Sequence, residues 1–269
     1  MTRVGALWRH PVKSLRGEEV PQLELVEGGV AGDRCWAFEV VATGQLVSGK
    51  KFGPVMTCRA RPAGDAVAVT FPDGTEVHDP AELARRMSAL LGVQVRLVRG
   101  APGTQVDLAP VHLLAAGTLA RLRAAHPDGD WDPRRFRPNI LLDDGDGGID
   151  GEIDGEDLLL GCDLHIGDEA VLHVVMPTSR CVMTTRAQGD DLPADKRILS
   201  VLTEVRRRDV PLFGNRPSAG VYADVVRPGV VRVGDPVRVE PVAPRRGRIA
   251  AAIDEIVAAR AARRPNSQA

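Results

Sequence analysis

Aromatic residues make up only 3% of this sequence of 269 residues, and they include a single tyrosine. Base-stacking platforms for nucleic acid are therefore scarce, and aliphatic side chains must fill the core. The net charge of -1 provides no general attraction to nucleic acid or to an anionic membrane. The sequence also lacks a run of about 18 apolar residues, so no transmembrane helix is predicted. With no signal peptide evident at the N-terminus, these absences predict a cytoplasmic protein without nucleic-acid or membrane partners.

The four cysteines are irregularly spaced and form no Cys-x-x-Cys pair; they are Cys35, Cys58, Cys162 and Cys181. A disulfide framework is not expected in a chain of this length and compartment. The spacing of cysteines and histidines also matches neither a zinc finger nor an iron–sulfur cluster motif. Any redox chemistry would therefore depend on a different cofactor.

Short β-like runs separated by glycine dominate the sequence and mostly follow one another without an intervening helix. This order favours a mainly β (α+β) fold of barrel-like architecture over a doubly wound parallel sheet. We predict a smaller N-terminal β-barrel-like domain over residues 1–103, a β-barrel domain with a few peripheral helices over 104–242, and a basic helical tail over 243–269.

Apolar spacing and capping signals predict helices over residues 80–91, 117–125, 197–208 and 246–264. The first of these has the clearest ends, because Asp79 can cap it and Gly92 can stop it. Two leucine-rich or cysteine-containing segments, residues 158–160 and 181–185, are predicted as short strands.

Two segments resemble a nucleotide-binding loop and a calcium-binding loop, but their key positions and flanking residues do not support either function. Residues 44–51 fit the start of a phosphate-binding P-loop, but Lys51 stands where serine or threonine should reach magnesium. The flanks indicate a hairpin, so a turn with solvated lysines is the preferred interpretation. Residues 146–151 nearly spell a calcium-binding EF-hand loop, yet Gly148 replaces a ligand and neither flank is a clear helix. A solvated acidic loop is preferred there.

Cys181 is the strongest candidate for a chemically active residue. It follows Arg180, and a neighbouring guanidinium favours the thiolate form of a cysteine. It also lies at a predicted loop-to-strand junction, where a rigid element can aim a side chain into a cavity. The alternative for Cys181 is an inert buried cysteine. Core or surface roles are expected for the other three.

Cationic side chains beside stiffened turns point to an anion-binding site. Lys13 and Ser14 follow a proline, Arg34 follows a glycine-containing turn, and Pro138 is expected to hold Arg137 extended. A guanidinium binds phosphate in a bidentate way, whereas lysine acts as a point charge. The combination therefore suits a phosphorylated ligand, although each residue taken alone is an ordinary surface charge.

Six short segments resemble, in order, the MOSC family of molybdenum-cofactor sulfurase C-terminal domains, preceded by the N-terminal β-barrel domain of that family. The segments cover residues 10–14, 32–36, 136–140, 179–185, 211–214 and 233–237. The resemblance extends over residues 3–242, and within the family it is to the amidoxime-reducing components in particular.

The resemblance implies a molybdenum cofactor, with Cys181 as the catalytic residue and as the protein's thiolate ligand in a square-pyramidal metal centre. A soft thiolate suits a redox-active metal, and cationic side chains suit an anionic pterin phosphate. By the same resemblance, the residues that hold the pterin and its phosphate are Lys13, Ser14, Arg34, Thr118, Arg137, Asn139 and Arg180.

The implied activity is that of a molybdenum-dependent oxidoreductase that reduces small N-hydroxylated or N-oxide substrates. Residues 115–118 depart from the family pattern, because they lack the aspartate that is sometimes placed near the substrate. No ferredoxin-like domain is evident, so an external electron donor of the ferredoxin or the cytochrome and flavin-reductase type is expected. Neither an iron–sulfur cluster nor pyridoxal phosphate is expected.

Two other functions stay open at this point. Cys181 could carry a persulfide, which would make the protein a sulfur carrier or transferase without a metal. Alternatively, the same anion-binding residues would serve a non-catalytic carrier of the molybdenum cofactor. Metal content separates the sulfur carrier from the other two functions, and turnover of an N-hydroxylated substrate separates the enzyme from the cofactor carrier.

Overall fold

The computed structural model describes residues 1–101, 105–106, 108–143, 145, 155–189, 191–243, 247, 249–251 and 253–255. The predicted acidic loop over residues 146–151 lies outside the described residues. The same is true of most of the predicted tail helix, of which only a few residues up to 255 are described.

The described part of the chain contains seventeen strands, three complete α-helices and further helical residues at 249–251 and 253–255. The strands before residue 104 are β1 (Arg3–Arg9), β2 (Glu18–Glu19), β3 (Gln22–Val26), β4 (Gly29–Val30), β5 (Trp36–Val40), β6 (Arg59–Ala63), β7 (Ala66–Thr70), β8 (Glu76–Val77) and β9 (Val95–Arg99). The later strands are β10 (Val111–Ala115), β11 (Ile140–Asp143), β12 (Cys162–Ile166), β13 (Ala170–Ser179), β14 (Arg207–Val210), β15 (Gly214–Arg227), β16 (Gly229–Arg232) and β17 (Val237–Pro241). The helices are α1 (Pro80–Leu91), α2 (Ala116–Ala125) and α3 (Arg197–Val205), and short 3-10 turns lie at Gly53–Thr57, Pro133–Phe136, Asp157–Leu159 and Val182–Thr185.

The predicted mainly β, α+β fold is confirmed. The largest sheet has the strand order β17–β12–β13–β15–β10–β11–β1–β2, and β14 pairs with β15. All its neighbouring strands are antiparallel except β10 and β11, which are parallel. Side chains alternate between the two faces of a strand, so one face of this sheet buries a continuous aliphatic core. Leu7, Leu113 and Leu172 are fully buried members of that core.

The first strands of the chain belong to the same core as the last ones. β1 pairs with β11, with Leu7 opposite Ile140, and β3 pairs with β16, with Leu25 opposite Gly229. Both leucines are buried in the core of the large sheet. The two ends of the sequence are therefore joined by strand pairing, whereas the division into domains at residue 103 stays a prediction.

A second aliphatic core lies under β5–β9 and α1. The predicted ends of α1 are confirmed, because the Asp79 carboxylate accepts the backbone N–H of Glu82 at 2.8 Å and Gly92 adopts a left-handed φ of 67°. Leu83 and Met87 are fully buried on the inner face of this helix. No helix among the described residues is long and apolar enough to cross a membrane.

Two predicted strands are wrong in type. Residues 158–160 and 181–185 are occupied by 3-10 turns and not by strands. In the second segment the N–H and the hydroxyl of Thr184 both donate to the carbonyl of Cys181, at 3.1 and 3.0 Å. This local bonding of a hydroxyl to the backbone competes with strand pairing.

The predicted helix over residues 197–208 is too long. It ends at Val205, because the side chain of Arg206 is buried against the Glu156 carboxylate at 3.0 Å. The chain then continues from Arg207 as β14, which pairs with β15. The buried ion pair is a contact between distant residues, so helical periodicity alone does not reveal where the helix stops.

Candidate functional site

One cavity brings together six of the eight predicted site residues. It lies where loops of the N-terminal part of the chain meet β10, the end of β13 and the Pro133–Phe136 turn. The six residues are Lys13, Ser14, Arg34, Arg137, Arg180 and Cys181. They come from widely separated parts of the sequence, so the fold itself assembles this set.

Three of the cavity residues have a backbone conformation that residues other than glycine rarely adopt. The φ angle is 67° at Ser14, 47° at Arg34 and 55° at Arg137. Within the described ranges, the only other residue of this kind is Leu212, with a φ of 70°. Each such residue costs about 1–3 kcal/mol, and this type of strain concentrates at functional sites. The backbone therefore marks the cavity independently of its side chains.

The prediction that Pro138 holds Arg137 extended is wrong. Arg137 ends the Pro133–Phe136 turn in the left-handed conformation, and its N–H donates to the carbonyl of Arg134 at 3.1 Å. Its Nη1 donates to the carbonyl of Leu15 at 2.6 Å, which ties this loop to the N-terminal part of the chain. The local turn hydrogen bond outweighs the bias that a following proline exerts.

Arg34 is held by a polar network behind the cavity. It forms a salt bridge with Asp33, and it donates to Oδ1 of Asn139 and to the carbonyl of Arg137, each at 3.3 Å. The second oxygen of the buried Asp33 carboxylate accepts the N–H of His10 at 2.6 Å. Asn139 is fully buried and does not line the cavity, so the structure places it against Arg34 and not at the cavity surface.

Cys181 lies directly after the end of β13, with its side chain partly exposed in the cavity wall. The preceding residue, Arg180, donates from Nη2 to the carbonyl of Phe136 at 2.6 Å, and its guanidinium lies 5.3 Å from the centre of the Phe136 ring. The 3-10 turn that starts at Val182 fixes the chain on the other side. The thiol is therefore held between a rigid strand end and a hydrogen-bonded turn.

The other cysteines do not share this environment, because none of them lines the cavity. Burial raises the pKa of Cys58 to about 12, and it also raises the pKa of Cys35 and of Cys162. These three side chains are therefore neutral thiols at neutral pH. In the part of the chain that the structure describes, no group of three or more histidine, cysteine or acidic side chains could hold a metal ion.

Two further cations line the cavity that are not among the residues predicted to hold the cofactor. Lys50, which the sequence indicated as a solvated turn lysine, lines the cavity, and Arg186 secures its turn by donating to its carbonyl at 3.0 Å. Arg135 is fully buried and reaches the Asp130 carboxylate at 2.5 Å, while its Nη1 has no hydrogen-bond partner among the described residues.

The lining is strongly cationic and partly apolar. As far as the chain is described, no aspartate or glutamate lines the cavity. Apolar and aromatic side chains complete the wall, namely Val106, Leu108, Ala109, Phe136, Met183, Phe213 and Tyr222. An anionic organic ligand with an apolar portion matches such a wall, because guanidinium and ammonium groups bind phosphate or carboxylate.

The structure does not bring Thr118 to the cavity. This residue lies in α2, where it is fully buried, and it is not part of the cavity lining. Its hydroxyl has no hydrogen-bond partner within the described part of the chain. The helix that carries Thr118 packs Leu119 and Leu122 into a small separate core.

A buried histidine in the cavity wall was also missed by the sequence. Burial, together with the guanidinium of Arg180, lowers the pKa of His112 well below its usual value. His10 lies nearby, and burial beside Arg137 and Arg34 likewise lowers its pKa well below the usual value. Both imidazoles are neutral at neutral pH, so neither adds to the positive charge of the cavity.

Together, the β-rich fold and the cationic cavity with one partly exposed thiol define a protein whose cavity is suited to an anionic group beside a cysteine sulfur. The MOSC domain model matches residues 102–238, and the model of the MOSC N-terminal beta barrel domain matches residues 1–101. The chain therefore belongs to the MOSC family, whose domains are associated with the molybdenum cofactor. The resemblance seen in the sequence is confirmed.

Two curated relatives are mitochondrial amidoxime-reducing component 1 of Homo sapiens and of Mus musculus. The human protein is 31% identical over 134 residues, which are 49% of this chain and 37% of the relative. The mouse protein is 32% identical over 105 residues, which are 38% of this chain and 28% of the relative. The matched region thus covers well under half of the length of these relatives.

Two of the solved structures that match this chain are of bacterial proteins. The YUAD protein from Bacillus subtilis matches with a TM-score of 0.47 and 15% identity, over 90% of this chain and 98% of that chain. YiiM from Escherichia coli matches with a TM-score of 0.41 and 12% identity, over 93% of this chain and 75% of that chain.

Proposed function

We propose that this chain is a molybdenum-cofactor-dependent oxidoreductase that reduces small N-hydroxylated or N-oxide compounds with electrons from an external donor. The observation that carries the proposal is the convergence of Cys181 and at least four cations on one cavity. The likeness to a protein named as an amidoxime-reducing component supports the choice of substrate class.

The residues of the cavity fit an anionic cofactor that carries a metal. Lys13, Arg34, Arg137 and Arg180 provide the cationic donors for a phosphate, and the buried Nη1 of Arg135 has no hydrogen-bond partner among the described atoms. Cys181 provides one soft ligand for a redox-active metal. The strained backbone at Ser14, Arg34 and Arg137 is of the kind that concentrates at functional sites, and it supports a role of these residues in holding a ligand.

Reduction of an N–OH group to N–H consumes two electrons and two protons and releases water. When bound, the molybdenum cofactor supplies the two-electron redox chemistry that no side chain of this cavity provides. The chain itself would ligate the metal through Cys181 and hold the anionic cofactor. It would also bind the substrate against apolar side chains that exclude water from part of the cavity. Phe136, Phe213 and Tyr222 are the aromatic side chains of the cavity that are available for that last task.

The first experiment measures molybdenum and released oxidised pterin, per chain, in protein expressed in a host that makes the cofactor. We expect both to be present in a one-to-one ratio with the chain, together with turnover of an N-hydroxylated compound with an artificial electron donor. Cys181→Ser should lose the metal and the turnover but keep the pterin, because the cationic donors remain. Cys162→Ser is the matched control, since Cys162 is a buried cysteine outside the cavity, and it should keep all three.

Other results would replace the proposal by one of two alternatives. A persulfide on Cys181 in protein without molybdenum would indicate a sulfur carrier. Stoichiometric molybdenum and pterin without turnover of any N-hydroxylated or N-oxide compound would indicate a non-catalytic cofactor carrier. Absence of metal, pterin and persulfide from a competent host would contradict all three functions.

A further inference from the structure

His112 contacts two of the arginines that line the cavity. Its Nε2 lies 3.4 Å from Nη1 of Arg180, and its Nδ1 lies 3.3 Å from the backbone carbonyl of Arg137. A carbonyl can only accept a hydrogen bond and a guanidinium can only donate one. The carbonyl of Ala219 also faces the ring, and one tautomer of the neutral ring satisfies both the Arg180 guanidinium and the Arg137 carbonyl. Nδ1–H donates to the carbonyl, while Nε2 accepts from Arg180.

Hydrogen bonds to the His112 backbone and close packing against the neighbouring strand hold the imidazole ring in place. Asn139 clamps the His112 backbone, because its Oδ1 accepts the His112 N–H at 3.2 Å and its N–H donates to the His112 carbonyl at 2.8 Å. On the neighbouring strand, a Cβ added to Gly220 would lie only 2.2 Å from Nε2. The ring therefore fills the space that a side chain at position 220 would need. Asn139 is buried and does not line the cavity, but through these two hydrogen bonds it holds the backbone of a residue that does.

We propose that His112 is a positioning residue that holds Arg180, and the backbone of Arg137, in the geometry that binds an anion. The acceptor Nε2 orients the guanidinium of Arg180, which also donates to the carbonyls of Phe136 and Ala219, at 2.6 and 3.5 Å. The donor Nδ1 supports the carbonyl of a residue with a strained φ. This inference rests on the anion site of the proposed function and not on its reaction.

The two ring nitrogens can be separated by substitution. Glutamine places its side-chain carbonyl close to the position of Nε2, whereas asparagine places its amide close to the position of Nδ1. His112→Gln therefore keeps an acceptor for Arg180, and His112→Asn keeps only the donor toward Arg137. Isothermal titration calorimetry with inorganic phosphate, on the full chain from a host that cannot make the cofactor, measures anion binding without any need for activity.

We expect His112→Asn to weaken phosphate binding about tenfold, and His112→Gln to stay within about threefold of the unchanged protein. The loss in His112→Asn should be absent when Arg180 is already replaced in Arg180→Gln, because the two side chains act through one contact. His126→Asn is the control, since His126 is a buried histidine that packs against Trp131 outside the cavity. It should bind phosphate like the unchanged protein.

Two results would overturn the inference. Unchanged phosphate binding in His112→Asn, in protein with native circular dichroism, would show that the ring does not position Arg180. Equal losses in His112→Asn and His112→Gln, or full additivity with Arg180→Gln, would show a general packing effect. A failed oxidoreductase proposal gives a different pattern, in which phosphate binding responds to His112 as expected but no turnover is found.

Discussion

Replacement of Gly220 by alanine tests how tightly the cavity wall is packed. Gly220 has a φ of 85°, and a Cβ at this position would lie 2.2 Å from Nε2 of His112 and 2.6 Å from the carbonyl oxygen of Leu113. The second neighbour is backbone and cannot rotate away. The N–H of Gly220 also donates to the buried Glu156 carboxylate at 2.7 Å, so a shift of β15 would strain that hydrogen bond.

The expected cost of Gly220→Ala has two parts. The left-handed backbone conformation costs about 1–2 kcal/mol for a residue with a Cβ. The crowding against His112 and Leu113 adds about 1–3 kcal/mol, as is typical of an overpacked core. We therefore expect the free energy of unfolding to fall by about 2–5 kcal/mol, a large share of the roughly 5–15 kcal/mol that stabilises a folded protein.

Gly74→Ala is the matched control for Gly220→Ala. Gly74 has nearly the same φ, 81°, but a Cβ there would meet nothing within 4 Å. Only the backbone cost of about 1–2 kcal/mol applies to it. Urea denaturation followed by circular dichroism measures both variants. If Gly220→Ala lost no more stability than Gly74→Ala, the close packing around His112 would be refuted.

Three further perturbations test other parts of the structure. Glu156→Ala should lower the free energy of unfolding by about 3–5 kcal/mol in urea denaturation, because it removes the nearer carboxylate of buried Arg206. A loss similar to that of a surface substitution would contradict this. Asp79→Ala should cost about 1 kcal/mol in thermal unfolding, since it removes the cap of α1, and Asp79→Ser should restore most of that loss. His10 and His112 have folded-state pKa values below their usual 6.5, so the unfolded chain binds protons near that pH that the folded chain does not. Stability should therefore fall as the pH drops below about 6.5, by up to about 1.4 kcal/mol per pH unit for each histidine, and a flat urea-midpoint profile between about pH 7 and 5 would contradict this.

Elements with local signals could be predicted from the sequence. The ends of α1 depend on Asp79 and Gly92, which act on backbone groups within a few positions of themselves. The end of α3 depends instead on Arg206, whose buried partner Glu156 lies far away in the sequence. Apolar periodicity reports only which residues of a segment share one helix face. It does not depend on an ion pair with a distant residue, so it cannot predict that the helix ends there.

The candidate site divides in the same way. Cys181 and Arg34 could be predicted because they lie in short segments that resemble a known family. Lys50 and His112 could not, because each reaches the cavity only through contacts with distant loops or strands. Thr118 was predicted from the family resemblance, but its position relative to the cavity depends on how α2 packs against other helices.

The pairing of β1 with β11, and of β3 with β16, also affects how the protein is made. A ribosome adds about 5–20 residues per second, so Ile140 is synthesised on the order of ten seconds after its partner Leu7. Throughout that delay, the earliest strands cannot form their native edges and expose backbone groups that could pair with other chains. Closure of the large sheet must therefore wait for synthesis of the later strands, and refolding should compete with aggregation at high protein concentration.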